Sequence, residues 1–302
     1  YSDIEMAALI KENIKDAFVT LVGTHPSALP HETLELNSSI DAVARGEYDY
    51  TIRDLARALA SDGNLKSVSG ITYRDAAGSI IDNEKRPFIE DLDALPFVSS
   101  VYKRHLNIKE YFFAASHYPL IMVVTGRGCP HRCSFCLYPQ VFHSRQYRFR
   151  SSPNVADEFE YVTKNLPEVK EIGIEDDTFA INKERVREIC EALIKRNLKI
   201  SWYANARPDL DAGTMQVMKK AGCRILIVGF ESGSQEILDN IHKGITLEAM
   251  ARFRKDAQGA GLLIHGCFII GNPGEREETA FETIDFAKRL NCDTAQFFPL
   301  ML

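Results

Sequence analysis

From residue 120 onward the chain alternates short apolar runs with segments whose apolar residues recur every three or four positions. This rhythm predicts repeated strand and helix units. The runs occupy residues 120–125, 171–175, 199–204, 225–230, 262–270 and 294–302, giving six expected strands. Between them, Val155, Phe159, Val162 and Leu166 share one helical face, entered through Ser152 as N-cap and Pro153 at the first helical position. Val186, Ile189, Cys190, Leu193 and Ile194 share another. Asp211 is placed to cap a third helix ending by Gly222, Ser234 and Thr246 cap two more, and the last follows Pro273. Strands joined in series by crossover helices form a parallel sheet, so the expected fold class is α/β, with residues 120–302 as a partial (β/α)6 TIM-like barrel.

Upstream the pattern differs. Ile4, Ala7, Ile10, Ile14 and Ala17 lie on one apolar helical face, residues 18–22 read as a buried strand, and residues 23–30 as a turn-rich loop. Helix-like patches are expected at 40–45 and 51–60, and strand patterns at 67–73 and 79–81 read as a hairpin. Residues 91–111 are poorly periodic. The expected organisation is therefore an α/β half domain over 1–85, a linker over 86–119 and the barrel over 120–302. The chain opens on Tyr1 rather than Met, and its last apolar run continues to Leu302, so a piece of a longer protein is expected.

Composition narrows the class only modestly. With 302 residues, 45% hydrophobic and 26% charged, the chain is ordinary for a globular protein, which excludes disordered and fibrous classes. A net charge of -6 argues against broad nucleic-acid backbone binding, which needs clustered Lys and Arg. Seven cysteines, of which only Cys129, Cys133 and Cys136 cluster, do not make a disulfide framework. Cys190, Cys223, Cys267 and Cys292 fall in apolar surroundings and read as core. Free thiols fit a reducing compartment, and the expected location is cytoplasmic. No apolar run approaches the ~18 residues of a membrane span.

The chemistry is concentrated after the first barrel strand, where Cys129, Cys133 and Cys136 stand at the spacing C-x3-C-x2-C. Three thiolates can hold three corners of a cubane 4Fe-4S cluster and leave one iron open to a non-protein ligand. A tetrahedral zinc site completed by His131 or His143 is the alternative, although no second cysteine knuckle is present. Other polar groups stand at the ends of apolar strands, where the loops of a βα barrel carry its active site. They are Glu175, Asp176 and Asp177 after the second strand, Asn205 and Arg207 after the third, and Glu231 after the fourth. The turn Gly271-Asn272-Pro273-Gly274-Glu275 follows the fifth strand, and Trp202, the one tryptophan, is a candidate for the substrate space.

A C-x3-C-x2-C loop after the first strand of a partial barrel resembles the radical S-adenosylmethionine (SAM) enzymes. The resemblance implies that the open iron binds SAM and that reductive cleavage yields a 5'-deoxyadenosyl radical. It implies Phe135 packed at the adenine, Asp176 or Asp177 near the SAM ammonium, and Asn205, Arg207 and Glu231 near the ribose hydroxyls and carboxylate. The family's common two glycines and glutamate are replaced here by an Asp-Asp-x-Phe variant. The Gly271 turn falls where the family has a similar turn near the adenine.

Residues 1–85 resemble the later half of a Rossmann-like cobalamin-binding domain, which implies that Gly23, Thr24, His25 and Ser27 cradle the nucleotide tail of cobalamin. The turn Gly46-Glu47-Tyr48-Asp49-Tyr50 belongs to the same resemblance, and the domain's earlier strands would precede Tyr1. Together these imply a cobalamin-dependent radical SAM enzyme. Its reaction would be methyl transfer to carbon, or ring formation or rearrangement, on a small-molecule or lipid substrate, with flavodoxin or ferredoxin as electron donor. The segments Cys-Leu-Tyr-Pro-Gln, Asp-Asp-Thr-Phe and Gly-Phe-Glu-Ser-Gly are most similar to the branch containing the hopanoid cyclitol ether synthase and the anaerobic porphyrin cyclase. The alternatives are a tRNA-type methylthiotransferase, whose usual extra cluster domain and basic RNA-binding domain are not seen, and a non-catalytic zinc or iron-sulfur module.

Overall fold

A computed structural model describes residues 2–61 and 63–301. The chain divides into two compact units: the described part of Tyr1–Glu90 together with Leu137–Gln146, and Asp91–Cys136 together with Tyr147–Leu302.

In the first unit the strands Thr20–Leu21 (β1), Ala42–Ala44 (β2), Ile71–Arg74 (β3) and Ile80–Asp82 (β4) form a sheet in that order. β1 and β2 are parallel, and the rest pair antiparallel, including the expected hairpin of β3 and β4. Its helices are Ser2–Asn13 (α1), Thr24–Ala28 (α2), Pro30–Leu36 (α3) and Asp49–Ala60 (α4). Ile4, Ala7 and Ile10 of α1 pack with Val19, Leu34, Ile40 and Val43, whereas Leu55 of α4 packs with Ala42, Ile71 and Tyr73.

The structure corrects three expectations here. Residues 40–45 hold a strand, not a helix. Ala42, Val43 and Ala44 are all buried, so both faces of β2 are apolar and no alternation marks it as a strand. Residues 24–28 and 30 onward are helical rather than loop, with Pro30 at a helix start, where its missing N–H costs nothing. The first helix stops at Asn13, before Ile14 and Ala17.

The second unit contains Val98–His105 (α5), which lies within the stretch expected as a linker. It then builds the expected α/β partial barrel. The strands Leu120–Val123 (β5), Glu171–Ile174 (β8), Ser201–Ala206 (β9), Cys223–Glu231 (β10), Leu263–Ile270 (β11) and Thr294–Pro299 (β12) pair in chain order, all parallel. A short antiparallel ladder of Gly126–Arg127 (β6) and Arg148–Phe149 (β7) interrupts the series after β5. The helices are Ser152–Asn165 (α6), Lys183–Lys195 (α7), Ala212–Lys220 (α8), Gln235–Asn240 (α9), Leu247–Ala260 (α10) and Glu277–Leu290 (α11). Asp211 and Thr246 cap α8 and α10 as expected; α6 is capped by Ser151, one residue before the expected Ser152.

Side chains alternate across the sheet. Ile121, Val123, Ile172, Ile174, Trp202 and Ala204 face the helices and form the main core with Phe159, Val186 and Met215. Leu120, Tyr203 and Ile225 face the concave side with Phe113, Met122 and Ile227. Trp202 therefore belongs to the helix-side core: it stands edge-on to Phe159 and Phe179, its indole N–H donates to Ala221 O at 2.9 Å, and it does not line the concave face. Gly173 is dictated by this packing, because a Cβ there would lie 2.3 Å from the Tyr203 ring.

One ionic knot closes the strand starts. Glu171, 0% exposed, accepts from Arg224 Nε at 2.7 Å, Ser201 Oγ at 2.6 Å and His117 N at 2.7 Å. Burial pushes its carboxyl up, but Arg224, Ser201 and the His117 N–H outweigh it and hold the group below its usual range. A carboxyl held low in the folded state adds stability above its unfolded value, about 4.3, and loses that contribution as pH falls through the folded value. Glu171→Gln should cost roughly 3–5 kcal/mol in urea unfolding at neutral pH. The gap from wild type should close below about pH 4; a gap independent of pH would show that the ionised pair is not its source.

Candidate active site

The loop after β5 carries the three clustered cysteines. Gly128, at φ +88°, turns the chain into Cys129 through a conformation that L side chains rarely adopt. A tight turn follows, with Cys136 N donating to Cys133 O at 3.3 Å, and Ser134 N ties the loop to Ile241 O at 3.0 Å beyond α9. Cys133 is buried, Cys129 and Cys136 are half-buried, and all three are free thiols. Burial pushes the Cys129 thiol up, against the opposing His131 backbone N–H and the Arg207 charge. Burial and the Arg207 charge hold the His131 imidazole below its ordinary value. Among the described residues no three His, Cys, Asp or Glu side chains converge closely enough to hold one metal ion. In a cubane each thiolate meets a different iron, and one short loop offers the three free thiols. Cys190 and Cys223 sit in the main core as expected, and Cys292 packs against it. Burial pushes the half-buried Cys267 thiol up to about 12.

The three carboxylates after β8 diverge. Asp176, 2% exposed, accepts from Thr125 N and Thr125 Oγ1, each at 2.6 Å. Burial pushes it up to about 6, against Thr125, the Arg185 charge and the Gly126 N–H. Asp177 Oδ2 accepts from Gly128 N at 2.7 Å. Both are thus turned to the peptide leading into Cys129. Glu175 lies instead in register with Gly173 on the concave face. It accepts from Tyr203 Oη at 2.8 Å and from Asn205 Nδ2 at 3.1 Å. Burial, then the Glu175 charge, pushes the Tyr203 phenol up, so it remains a donor at neutral pH.

Arg207 and Glu231 meet through a residue not singled out above, Lys243. Arg207 donates Nη2 to Lys243 O at 2.7 Å and directs Nη1 to Cys133 Sγ at 3.6 Å, while its Nε lies 3.4 Å from Asp209. Lys243 Nζ donates to Glu231 Oε1 at 2.8 Å, with the two residues 4% and 8% exposed. Glu231 has φ +69°, a conformation costly for a residue with a Cβ and one that concentrates at functional sites. Phe135 is half-buried against the barrel core. In the turn after β11, Asn272 is 3% exposed; its Nδ2 donates to Ile269 O at 2.9 Å, its Oδ1 is buried without a partner, and Glu275 accepts from Gly271 N.

In the first unit, Gly23 opens α2, and Ser27 joins two of the expected segments. Its hydroxyl donates to Gly23 O at 2.6 Å and accepts from Gly46 N at 2.9 Å. Thr24 is half-buried and His25 exposed. A cleft of about 290 Å³ lies beside this tie, lined by Ser27, Arg45, Gly46, Glu47, Phe88 and Gln140.

Strict period-two counting from Glu171 through Gly173 would have placed Glu175 on the concave face. Lys243 carries no such signal, since it lies in the turn after α9 and follows no strand register.

These features define a class of protein: a partial βα barrel whose first strand delivers a cysteine loop to the side where its other strands end in polar and charged residues. The chain belongs to the radical SAM superfamily, whose family model matches residues 123–287. That superfamily is one of enzymes, and membership implies a 4Fe-4S cluster and SAM. The chain is 36% identical over 298 residues to an uncharacterised methyltransferase of Pyrococcus horikoshii, covering 98% of this chain and 62% of that protein. It is 29% identical over 295 residues to an anaerobic magnesium-protoporphyrin IX monomethyl ester cyclase of Rubrivivax gelatinosus, covering 96% and 52%. The chain thus spans between half and two thirds of the length of these relatives. Among solved structures, its fold is similar to that of the radical SAM methyltransferase TsrM of Kitasatospora setae with cobalamin and a 4Fe-4S cluster bound. The TM-score is 0.77 at 20% identity, over 99% of this chain and 60% of that one. It is also similar to the cobalamin-dependent radical SAM enzyme OxsB with aqua-cobalamin and SAM bound, with a TM-score of 0.74 at 23% identity, over 95% and 42%.

The Glu231–Lys243 pair can be tested alone. Lys243→Met leaves a buried carboxylate uncompensated and should cost roughly 3–5 kcal/mol. Adding Glu231→Gln should recover at least about 1 kcal/mol of that in urea unfolding; additive losses would show that the two groups are not coupled.

Proposed function

We propose that this chain is the SAM-cleaving portion of a cobalamin-dependent radical SAM enzyme that transfers a methyl group to carbon, or forms a ring, on a small-molecule or lipid substrate. The observation that carries the reading is the cysteine loop at the barrel mouth, with Arg207 Nη1 3.6 Å from Cys133 Sγ. When bound, the cluster and SAM supply a 5'-deoxyadenosyl radical by reductive cleavage. The chain's own residues bind and orient. Cys129, Cys133 and Cys136 hold the cluster, the Arg207 cation favours the SAM carboxylate, and Asn205 and Glu231 offer partners for the ribose hydroxyls. Glu175 takes the place facing the ammonium, since Asp176 and Asp177 are committed to the cysteine loop, and Phe135 packs at the adenine.

Cobalamin belongs to the reading for two reasons. Ser27 ties Gly23 to Gly46 beside a cleft of the first unit, and the two solved neighbours carry cobalamin. The name of the 36% relative favours methyl transfer, and that of the 29% relative favours ring formation. Among the described residues no helix is long and apolar enough to cross a membrane; we place the chain in the cytoplasm, with flavodoxin or ferredoxin as electron donor.

Anaerobic reconstitution with iron and sulfide should load about four irons per chain, and reductant should then convert SAM to 5'-deoxyadenosine. Cys129→Ala, Cys133→Ala and Cys136→Ala should each abolish loading, whereas Cys190→Ala should leave it unchanged. Equal iron loss in all four variants would refute the assignment. Mixed with hydroxocobalamin and desalted, the chain should stay coloured, and Ser27→Ala should retain less. Equal retention by both would move cobalamin away from this corner.

A further inference from the structure

The five residues leading from β5 into Cys129 are held by side chains to an unusual degree. Thr125 gives both its N–H and its hydroxyl to Asp176, and Gly128 gives its N–H to Asp177. On the acceptor side, Thr125 O receives Arg150 N at 2.9 Å and Arg185 Nη2 at 2.9 Å, and Val124 O receives Arg150 Nη1 at 3.2 Å. Arg185, 2% exposed, also donates Nε to Arg150 O at 3.0 Å and Nη1 to Tyr147 Oη at 3.1 Å. Arg150 is in turn paired with Glu158, 1% exposed, which accepts from Ser99 N at 3.0 Å and Ser99 Oγ at 2.8 Å.

Four nearly buried ionic groups, Asp176, Arg185, Arg150 and Glu158, thus converge behind one short peptide. Buried charges such as the Arg150–Glu158 pair are weak sources of stability compared with apolar packing, and their best-attested benefit is to select a single conformation. The conformation selected here is that of Val124 to Gly128. Asp176 accepts with one carboxylate oxygen from the Thr125 N–H and with the other from the Thr125 hydroxyl, so the group is turned to the loop.

We propose that Asp176, Asp177 and Arg185 are positioning residues that hold the peptide entering Cys129 in the one conformation from which the three thiolates grip the cluster. The inference rests on the cluster reading above for what the loop holds. The conformational lock itself does not depend on it. The three residues act through the backbone of 124–128 and through no contact with SAM.

The test uses the full chain, first free of metal and then anaerobically reconstituted. Two readouts are taken: hydrogen exchange of the peptide spanning 123–136, and the rate at which a chelator strips iron. In Asp176→Asn and in Arg185→Met, loss of charge-assisted hydrogen bonds should speed exchange of the Thr125, Gly126 and Gly128 amides by about ten- to hundredfold and iron release by a similar factor. Exchange elsewhere in the barrel should stay as in wild type. Where a buried-charge variant does not fold, Asp177→Asn, whose residue is half-buried, and Thr125→Val, which deletes one hydroxyl, take its place; each should produce a smaller rise in the same two readouts. Folded variants with wild-type exchange and wild-type iron release would overturn the proposal. So would variants that hold iron normally but bind SAM more weakly, because Asp176 and Asp177 would then be ligand contacts. Failure of the wild type to load iron would sink the cluster reading alone, since the exchange measurement needs no metal.

Discussion

Parallel pairing is the constraint on which the rest of the barrel depends. Because every strand of the six-stranded sheet runs the same way and pairs with its neighbour in chain order, all the loops after the strands open on one side. The cysteine loop, Glu175, Arg207, Glu231 and the Asn272 turn come from five different strand ends and reach that side for this reason alone. The register of β5 against β8, with Val123 opposite Ile174, then sets the peptide before Cys129 beside Asp176 and Asp177. At the opposite end, the Glu171 and Arg224 knot ties the starts of β8, β9 and β10 to the segment before β5, so the frame is pinned away from the chemistry.

The barrel was legible because its elements are long and have strong periodicity. All six strand positions and the α8 and α10 caps followed from hydrophobic rhythm and capping residues. The first unit was harder for a physical reason. Its strands are two to four residues long, and β2 is buried throughout, so the period-two signal that separates strand from helix has no room to develop. Trp202 was misplaced by a different route. As the one tryptophan it was a candidate for the substrate space, but its register with Ala204 places it among Phe159 and Phe179 on the helix side.

The candidate site was legible residue by residue and much less so as a network. Arg207 and Glu231 were visible as polar groups ending apolar strands. Their link through Lys243 was not, because pairing between distant segments leaves no mark on local pattern. That link matters electrostatically. Lys243 is neutralised by Glu231, and its backbone carbonyl accepts from Arg207, whose Nη1 then stands 3.6 Å from Cys133 Sγ. The Arg207 charge opposes the burial that pushes the Cys129 thiol up, and it attracts an anionic group brought to the same place.

The three adjacent carboxylates show why a motif is not a unit of function. Glu175, Asp176 and Asp177 are consecutive, yet at a strand end each successive side chain leaves the sheet in a different direction. Glu175 keeps the alternation of β8 and joins Tyr203 and Asn205 on the concave face. Asp176 takes the opposite face and becomes a buried acceptor for Thr125. Asp177, three residues past the last paired residue Ile174, turns to Gly128. A run of negative charge that reads as one ligand site in the sequence is therefore divided by strand geometry between the barrel interior and the cysteine loop. The two groups stay adjacent, since Asp176, the acceptor for Thr125 of the loop, follows Glu175 directly in the chain.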